Sequence, residues 1–171
     1  MKTLKLLAFT LLITLSGFAY ADLKVGDKAL PIKLSTHEGK TFDLNSRKGL
    51  WTVLYFFPKA ETPGCTAQAC SFRDNIKKIR ELKAEVFGIS TNNVSDQADF
   101  HKAHALNFIL LADDKGDVTS AYGSKMPVLN MSKRWTFIVD PDLVIRDIAK
   151  DVDPITDAKR VAAKISELQK K

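Results

Sequence analysis

The sequence predicts one α/β domain, a mixed β-sheet with helices packed on its faces, and three observations carry that expectation. WTVLYFF, from Trp51 to Phe57, is an almost unbroken apolar run. Such a run reads as a strand buried on both faces, which suggests parallel pairing under covering helices. A helix-period segment and a second buried strand follow it. No linker, repeat or low-complexity tract divides the chain.

Taken in order, Leu30–Leu34 and Thr41–Leu44 alternate weakly around the turn sequence THEGK, so a short N-terminal β-hairpin is expected. Pro58 ends the Trp51–Phe57 strand. From Cys65 to Leu82, Phe72, Ile76, Ile79 and Leu82 recur at helical spacing. Ala84–Ser90 reads as the second buried strand. Ser95 is placed to cap a helix carrying Phe100, His101 and His104. Phe108–Ala112 gives a third strand, then the loop DDKGD and a brief helix through Ala121 and Tyr122. Trp135–Val139 and Leu143–Ala149 flank Asp140-Pro141-Asp142 as a second hairpin. Asp153 with Pro154 is expected to start the last helix, whose stripe is Ile155, Ala158, Val161, Ala162, Ile165 and Leu168.

The first 21 residues read as a leader rather than as part of the fold. Lys2 and Lys5 precede the apolar run Leu6–Phe18, and Ala19-Tyr20-Ala21 supplies a small-x-small cleavage pattern. The competing reading is an uncleaved anchor, against which the run is short and interrupted by polar residues. Cleavage after Ala21 leaves residues 22–171 as one domain and implies a periplasmic protein, in a compartment where disulfides persist. It also lowers the formal charge from +6 to +4. That balance serves solubility. The cluster Lys77, Lys78, Arg80 is interleaved with Glu81 and Glu85, and nucleic-acid binding is not indicated.

Both cysteines lie in PKAETPGCTAQAC, from Pro58 to Cys70. Thr62 is a credible N-cap, Pro63 fits the first helical position, and Cys65 then falls in the first turn. Free backbone N–H groups and the positive end of the helix dipole there favour negative charge on sulfur. In a continuous helix, residues 65 and 70 have Cα atoms roughly 8.5 Å apart, beyond the ~7 Å a disulfide tolerates. Either a permanent disulfide breaks the helix, or the helix unwinds whenever the bond forms. A structural staple would close a very small loop and constrain the unfolded chain little. TAQA, between the cysteines, consists largely of helix formers. A metal pair would need further ligands, and His37, His101 and His104 are not arranged with the thiols. A disulfide oxidoreductase acting on proteins would favour C-x-x-C. The spacing suits a cycle in which a small oxidant converts Cys65 to a sulfenic acid and Cys70 condenses with it after local unfolding.

The stretch FFPKAETPGCTAQACSFRDN closely resembles the active-site segment of the peroxiredoxins, above all their bacterioferritin-comigratory or Q-type subfamily. The likeness runs from VGDKALPIKL to the strand RWTFIVD and the final helix, and the motif P-x-x-x-T-x-x-C falls on Pro58, Thr62 and Cys65. The resemblance implies a thioredoxin-like fold with an N-terminal β-hairpin addition. It implies a thiol peroxidase acting on hydrogen peroxide and alkyl hydroperoxides, recycled by a thioredoxin-like reductant, with no metal, haem or flavin. By the same resemblance Cys65 is the peroxidatic nucleophile and Cys70 the resolving thiol. Thr62 bonds the peroxide and the Cys65 sulfur, Pro58 shields the thiolate, and Arg134 sits over the pocket. A guanidinium there would stabilise the anionic sulfur and donate to the peroxide oxygens as the O–O bond breaks. Q-type relatives are often monomers, which sets the expectation for this chain.

Around those residues, Glu61 reads as a rim residue, Gln68 as shaping the pocket mouth, and Phe57 as packing on the active-site loop. Trp51 and Trp135 read as core-edge residues. SKMPVLNMSK, from Ser124 to Lys133, is a short loop whose Met126 and Met131 are read as loop packing rather than a reductant-docking surface.

Overall fold

The computed structural model describes residues 22–170, so the leader expected over 1–21 lies outside the described residues. The first hairpin forms from β1 (Lys33–Thr36) and β2 (Thr41–Asp43), which pair antiparallel about the THEGK turn. A single 3-10 turn over Leu44–Arg47 follows. β3 (Trp51–Phe56), α1 (Pro63–Glu81), β4 (Ala84–Ser90), α2 (Val94–Ala103) and β5 (Ile109–Ala112) make the β-α-β-α-β run. A short α3 (Asp117–Ala121) precedes β6 (Trp135–Val139), β7 (Ile145–Ala149) and α4 (Asp157–Leu168). The seven strands form one sheet in the order β2-β1-β5-β4-β3-β6-β7.

β3 is parallel to β4, as its unbroken apolar run suggests, and β4 is parallel to β5; on its other side β3 pairs antiparallel with β6. Its side chains alternate between two cores. Val53, Tyr55 and Phe57 join Phe72, Ile76 and Ile79 of α1 and Val161 and Ile165 of α4 on one face. Leu54 and Phe56 join Phe87, Ile89, Phe137, Tyr122 and Ile32 on the other. α1 and α4 pack together over the first face, which fixes the first turn of α1 against the sheet.

Two helix starts differ from expectation. Asn93, not Ser95, caps α2, its side chain accepting from the Asp96 N–H, with Ser95 already inside the helix. Asp153 accepts from the N–H groups of Ile155 and Thr156 and closes a turn around Pro154. α4 therefore begins at Asp157 with Thr156 at its N-cap position. In both places a short polar side chain competes for nearby backbone donors and moves the boundary by two or three residues. Among the described residues no helix is long and apolar enough to cross a membrane.

Candidate active site

β3 delivers the chain to the site. Phe57 still donates its N–H to the Ile89 carbonyl at 3.0 Å, and Pro58, lacking an N–H, ends the pairing. The loop after it is tied down locally. The Ala60 N–H donates to Asn92 Oδ1 at 3.0 Å, and the exposed Glu61, at φ 62°, reaches His104 Nε2 at 3.0 Å. α1 then starts with Thr62 at the N-cap position and Pro63 first in the helix. The Thr66 N–H takes the Thr62 carbonyl at 2.9 Å, so the N–H groups of Gly64 and Cys65 precede the first intrahelical bond.

Cys65 is 1% exposed and packs in the core with Tyr55, Phe57, Ala69 and Phe72. Arg134, reaching over from the residue before β6, donates through Nη2 to the Cys65 sulfur at 3.4 Å and through Nη1 to Gln68 Oε1 at 2.6 Å. The approach is close. A Cβ on Gly64 would lie 3.2 Å from Arg134 Nη2. Burial first, and then electrostatic interaction with nearby Cys65, push the Tyr55 phenol far above its ordinary range, so it stays protonated.

Cys70 is half-buried, free, and on the same unbroken helix as Cys65. α1 runs unbroken through both positions, and no bond joins the two sulfurs in this structure. Thr62 is an N-cap by backbone conformation only. Its hydroxyl donates to the Lys59 carbonyl at 3.0 Å and makes no cap bond. Among the described residues the hydrogen-bond donor to the sulfur is Arg134 rather than Thr62. Pro58 is half-buried and lines a cavity of about 320 Å³ with Lys59, Asn92, Asn130 and Met131. Met131 thus packs beside the active-site loop, and Met126 donates its N–H to the Met131 carbonyl at 2.9 Å. Phe57 is fully buried, as its packing role requires.

Gln68 is more than a residue of the pocket mouth. It is fully buried, and its Nε2 donates to Asp157 Oδ2 at 2.9 Å. That oxygen also accepts from Thr136 Oγ1 at 2.7 Å, while Asp157 Oδ1 accepts from Arg160 Nε at 3.1 Å. Asp157 and Thr136 escaped sequence reasoning because an acid in the first turn of a helix and a threonine in a strand are unremarkable locally. His37 stacks on His101 with ring centroids 3.9 Å apart, while His104 contacts Glu61 of the loop before Cys65.

A thiol in the first turn of a helix, an arginine donating to it, and a second thiol further along that helix have clear parallels. A model of the AhpC/TSA family matches residues 25–148. The chain belongs to the AhpC/TSA family. Within that family its relatives are peroxiredoxins of the Bcp and Q type. Peroxiredoxin Bcp of Bacillus subtilis (strain 168) is 35% identical over 126 residues, 70% of this chain and 80% of that protein. Peroxiredoxin Bcp of Escherichia coli (strain K12) is 35% identical over 135 residues, 75% of this chain and 86% of that one. The crystal structure of peroxidoxin BcpB from Mycobacterium tuberculosis superposes with a TM-score of 0.80 at 32% identity, covering 85% of this chain and 98% of that one. The AhpC/TSA membership makes the chain a thiol peroxidase, and its sheet and helices are the thioredoxin-like fold of the peroxiredoxins.

Proposed function

We propose that the chain reduces hydrogen peroxide and alkyl hydroperoxides at Cys65 and stores the oxidising equivalent in a Cys65–Cys70 disulfide. The observation that carries the reading is the buried Cys65 sulfur with Arg134 Nη2 at 3.4 Å. The Cys65 thiolate attacks the terminal peroxide oxygen. An S–O bond forms, the O–O bond breaks, and the departing oxygen takes a proton to leave as water or alcohol. Arg134 donates to the oxygens as charge moves onto them, and Thr62 and Pro58 bound the approach. The first turns of α1 then open, the Cys70 sulfur displaces hydroxide from the sulfenic acid, and water leaves as the S–S bond forms. A thioredoxin-like dithiol returns both sulfurs to thiols and is itself oxidised to a disulfide.

The leader pattern over residues 1–21 supports a periplasmic setting, with a periplasmic dithiol as the donor. The scatter of exposed apolar side chains, Val25, Leu50 and Ile155 apart from Val128 and Leu129, supports a monomer.

Intact mass of the reduced protein, followed over seconds after one equivalent of hydrogen peroxide, tests the reading. We expect rapid loss of two hydrogens, abolished in C65S and replaced by a one-oxygen adduct in C70S. Oxidation no faster than that of an ordinary surface thiol would overturn it.

A further inference from the structure

We propose that Asp157, the buried first residue of α4, is a positioning residue that holds the cysteine-bearing turns of α1 shut and thereby sets how fast a Cys65 sulfenic acid is resolved. The inference rests on the peroxidase reading and adds to it a control on the slow, conformational half of the cycle.

The two cysteines cannot bond across an intact helix, their Cα atoms standing roughly 8.5 Å apart by helix geometry. Resolution therefore waits on local opening of α1 near its start. Gln68 sits within the segment that must open, between Cys65 and Cys70. It is tied twice, to Arg134 on the sheet side and to Asp157 on α4. Asp157 is itself held firmly: Thr136 donates to the oxygen that Gln68 uses, and Arg160 Nη2 lies 3.0 Å from the other oxygen. Arg160 also reaches Asp147 on β7 at 2.7 Å. Ser71, one residue past Cys70, donates to the Ile155 carbonyl at 2.7 Å, a second tie from α1 to the approach of α4.

A hydrogen bond to a buried carboxylate is among the stronger ones, and opening α1 would strip Asp157 of its Gln68 donor inside a dry site. The lock is thus charged and buried, and it acts on the resolving step. While it stays shut, a sulfenic acid at Cys65 remains exposed to a second peroxide. That peroxide would oxidise the sulfur to sulfinic acid, adding one oxygen and releasing water or alcohol. A tighter lock slows the disulfide and favours over-oxidation. A looser one does the reverse.

The test compares reduced wild-type protein with Asp157→Asn and Thr136→Val. Asparagine turns an N–H toward Gln68 and Thr136 or toward Arg160, so at least one arm of the network loses its acceptor. Valine removes the hydroxyl that pins Oδ2 and leaves the Arg160 pair in place, so it reads the same lock should Asp157→Asn not fold. Hydrogen exchange, measured by mass without peroxide, should rise about tenfold over residues 64–70 in Asp157→Asn and less in Thr136→Val. Exchange in β3 and β4 should stay unchanged. With excess hydrogen peroxide, the variants should convert sulfenic acid to disulfide faster by a similar factor and accumulate less sulfinic acid.

Unchanged exchange over 64–70 would overturn the lock, as would a uniform rise across the chain, which marks general destabilisation. Slower resolution in both variants would overturn it too. If wild-type protein forms no disulfide with peroxide, the peroxidase reading falls by itself, since the exchange comparison needs no peroxide.

Discussion

Arg134 holds its Nη2 3.4 Å from the Cys65 sulfur across a separation of 69 residues, and Gln68 fixes its other terminal nitrogen. On the proposed reading, this geometry presents one planar cation both to Cys65 and to the peroxide oxygen it would attack. Replacing Arg134 with Met should lower the second-order rate of Cys65 oxidation by about 100-fold, the size expected for losing a preorganised donor at developing charge. Lys keeps the charge without the fork and should recover only part of that loss. Stopped-flow oxidation of folded variants reads both, and an Arg134→Met rate within about threefold of wild type would remove Arg134 from the chemistry.

Gly64 makes room for that guanidinium. A Cβ there would stand 3.2 Å from Nη2, against a side-chain end rather than against backbone. Gly64→Ala should therefore cost the fold little, within about 1 kcal/mol, since alanine is the better helix former. It should slow Cys65 oxidation by about tenfold by displacing the guanidinium a few tenths of an ångström. The expected signature is an unchanged unfolding midpoint together with reduced peroxide reactivity.

What sequence could show divides by distance along the chain. The β3 run and the α1 periodicity are local patterns, and β3, β4 and the body of α1 appear where those patterns fall. Cys65 in a first turn follows from Thr62-Pro63-Gly64, three residues that speak for themselves. Arg134 could be singled out only through the family resemblance, because nothing beside it marks a site. The Gln68–Asp157 bond spans 89 residues and joins two helices through a face that neither sequence segment declares as polar. Pattern reading reports which positions are apolar. It is silent on which buried polar groups meet, since that depends on how α4 docks on α1. The misplaced starts of α2 and α4 have a smaller cause, in each case a short polar side chain, Asn93 or Asp153, taking nearby backbone N–H groups.

Gly88, in the middle of β4, is the tightest glycine of the core. A Cβ there would sit 2.6 Å from Tyr55 Oη and 2.7 Å from Leu110 Cδ2. Gly88→Ala should destabilise by about 3 kcal/mol through overpacking. The Tyr55 hydroxyl is buried and has no hydrogen-bond partner among the described residues, so Tyr55→Phe removes an unsatisfied group and should stabilise by up to about 1 kcal/mol. Made in the Tyr55→Phe background, Gly88→Ala should cost less, because the hydroxyl contact is gone while Tyr55 Cζ and Leu110 Cδ2 remain at 2.7 Å. Denaturant melts of the four proteins in this cycle give the coupling. Strict additivity would show that the phenol is not what Gly88 accommodates.

His37, in the turn between β1 and β2, stacks on His101 of α2 with the rings inclined by 16°. The His37 Nδ1 accepts from the Leu110 N–H at 3.3 Å, which requires that nitrogen to be unprotonated. Burial holds both imidazoles below their ordinary value of 6.5, and His37 also disfavours charge on His101. Glu38 works against this for both rings, and Lys40 adds to it for His37. A histidine held low in the folded state is protonated more readily in the unfolded one. The unfolded chain therefore binds more protons below about pH 6.5, and stability falls with pH until the folded rings titrate as well. The unfolding midpoint in urea should accordingly drop between pH 7.5 and 5.5. His101→Phe keeps a ring against His37 but removes one titrating group, so its midpoint should fall less over the same interval. An equal fall in both proteins would place the acid sensitivity elsewhere, while a flatter profile for His101→Phe would assign it to the contact that joins the N-terminal hairpin to α2.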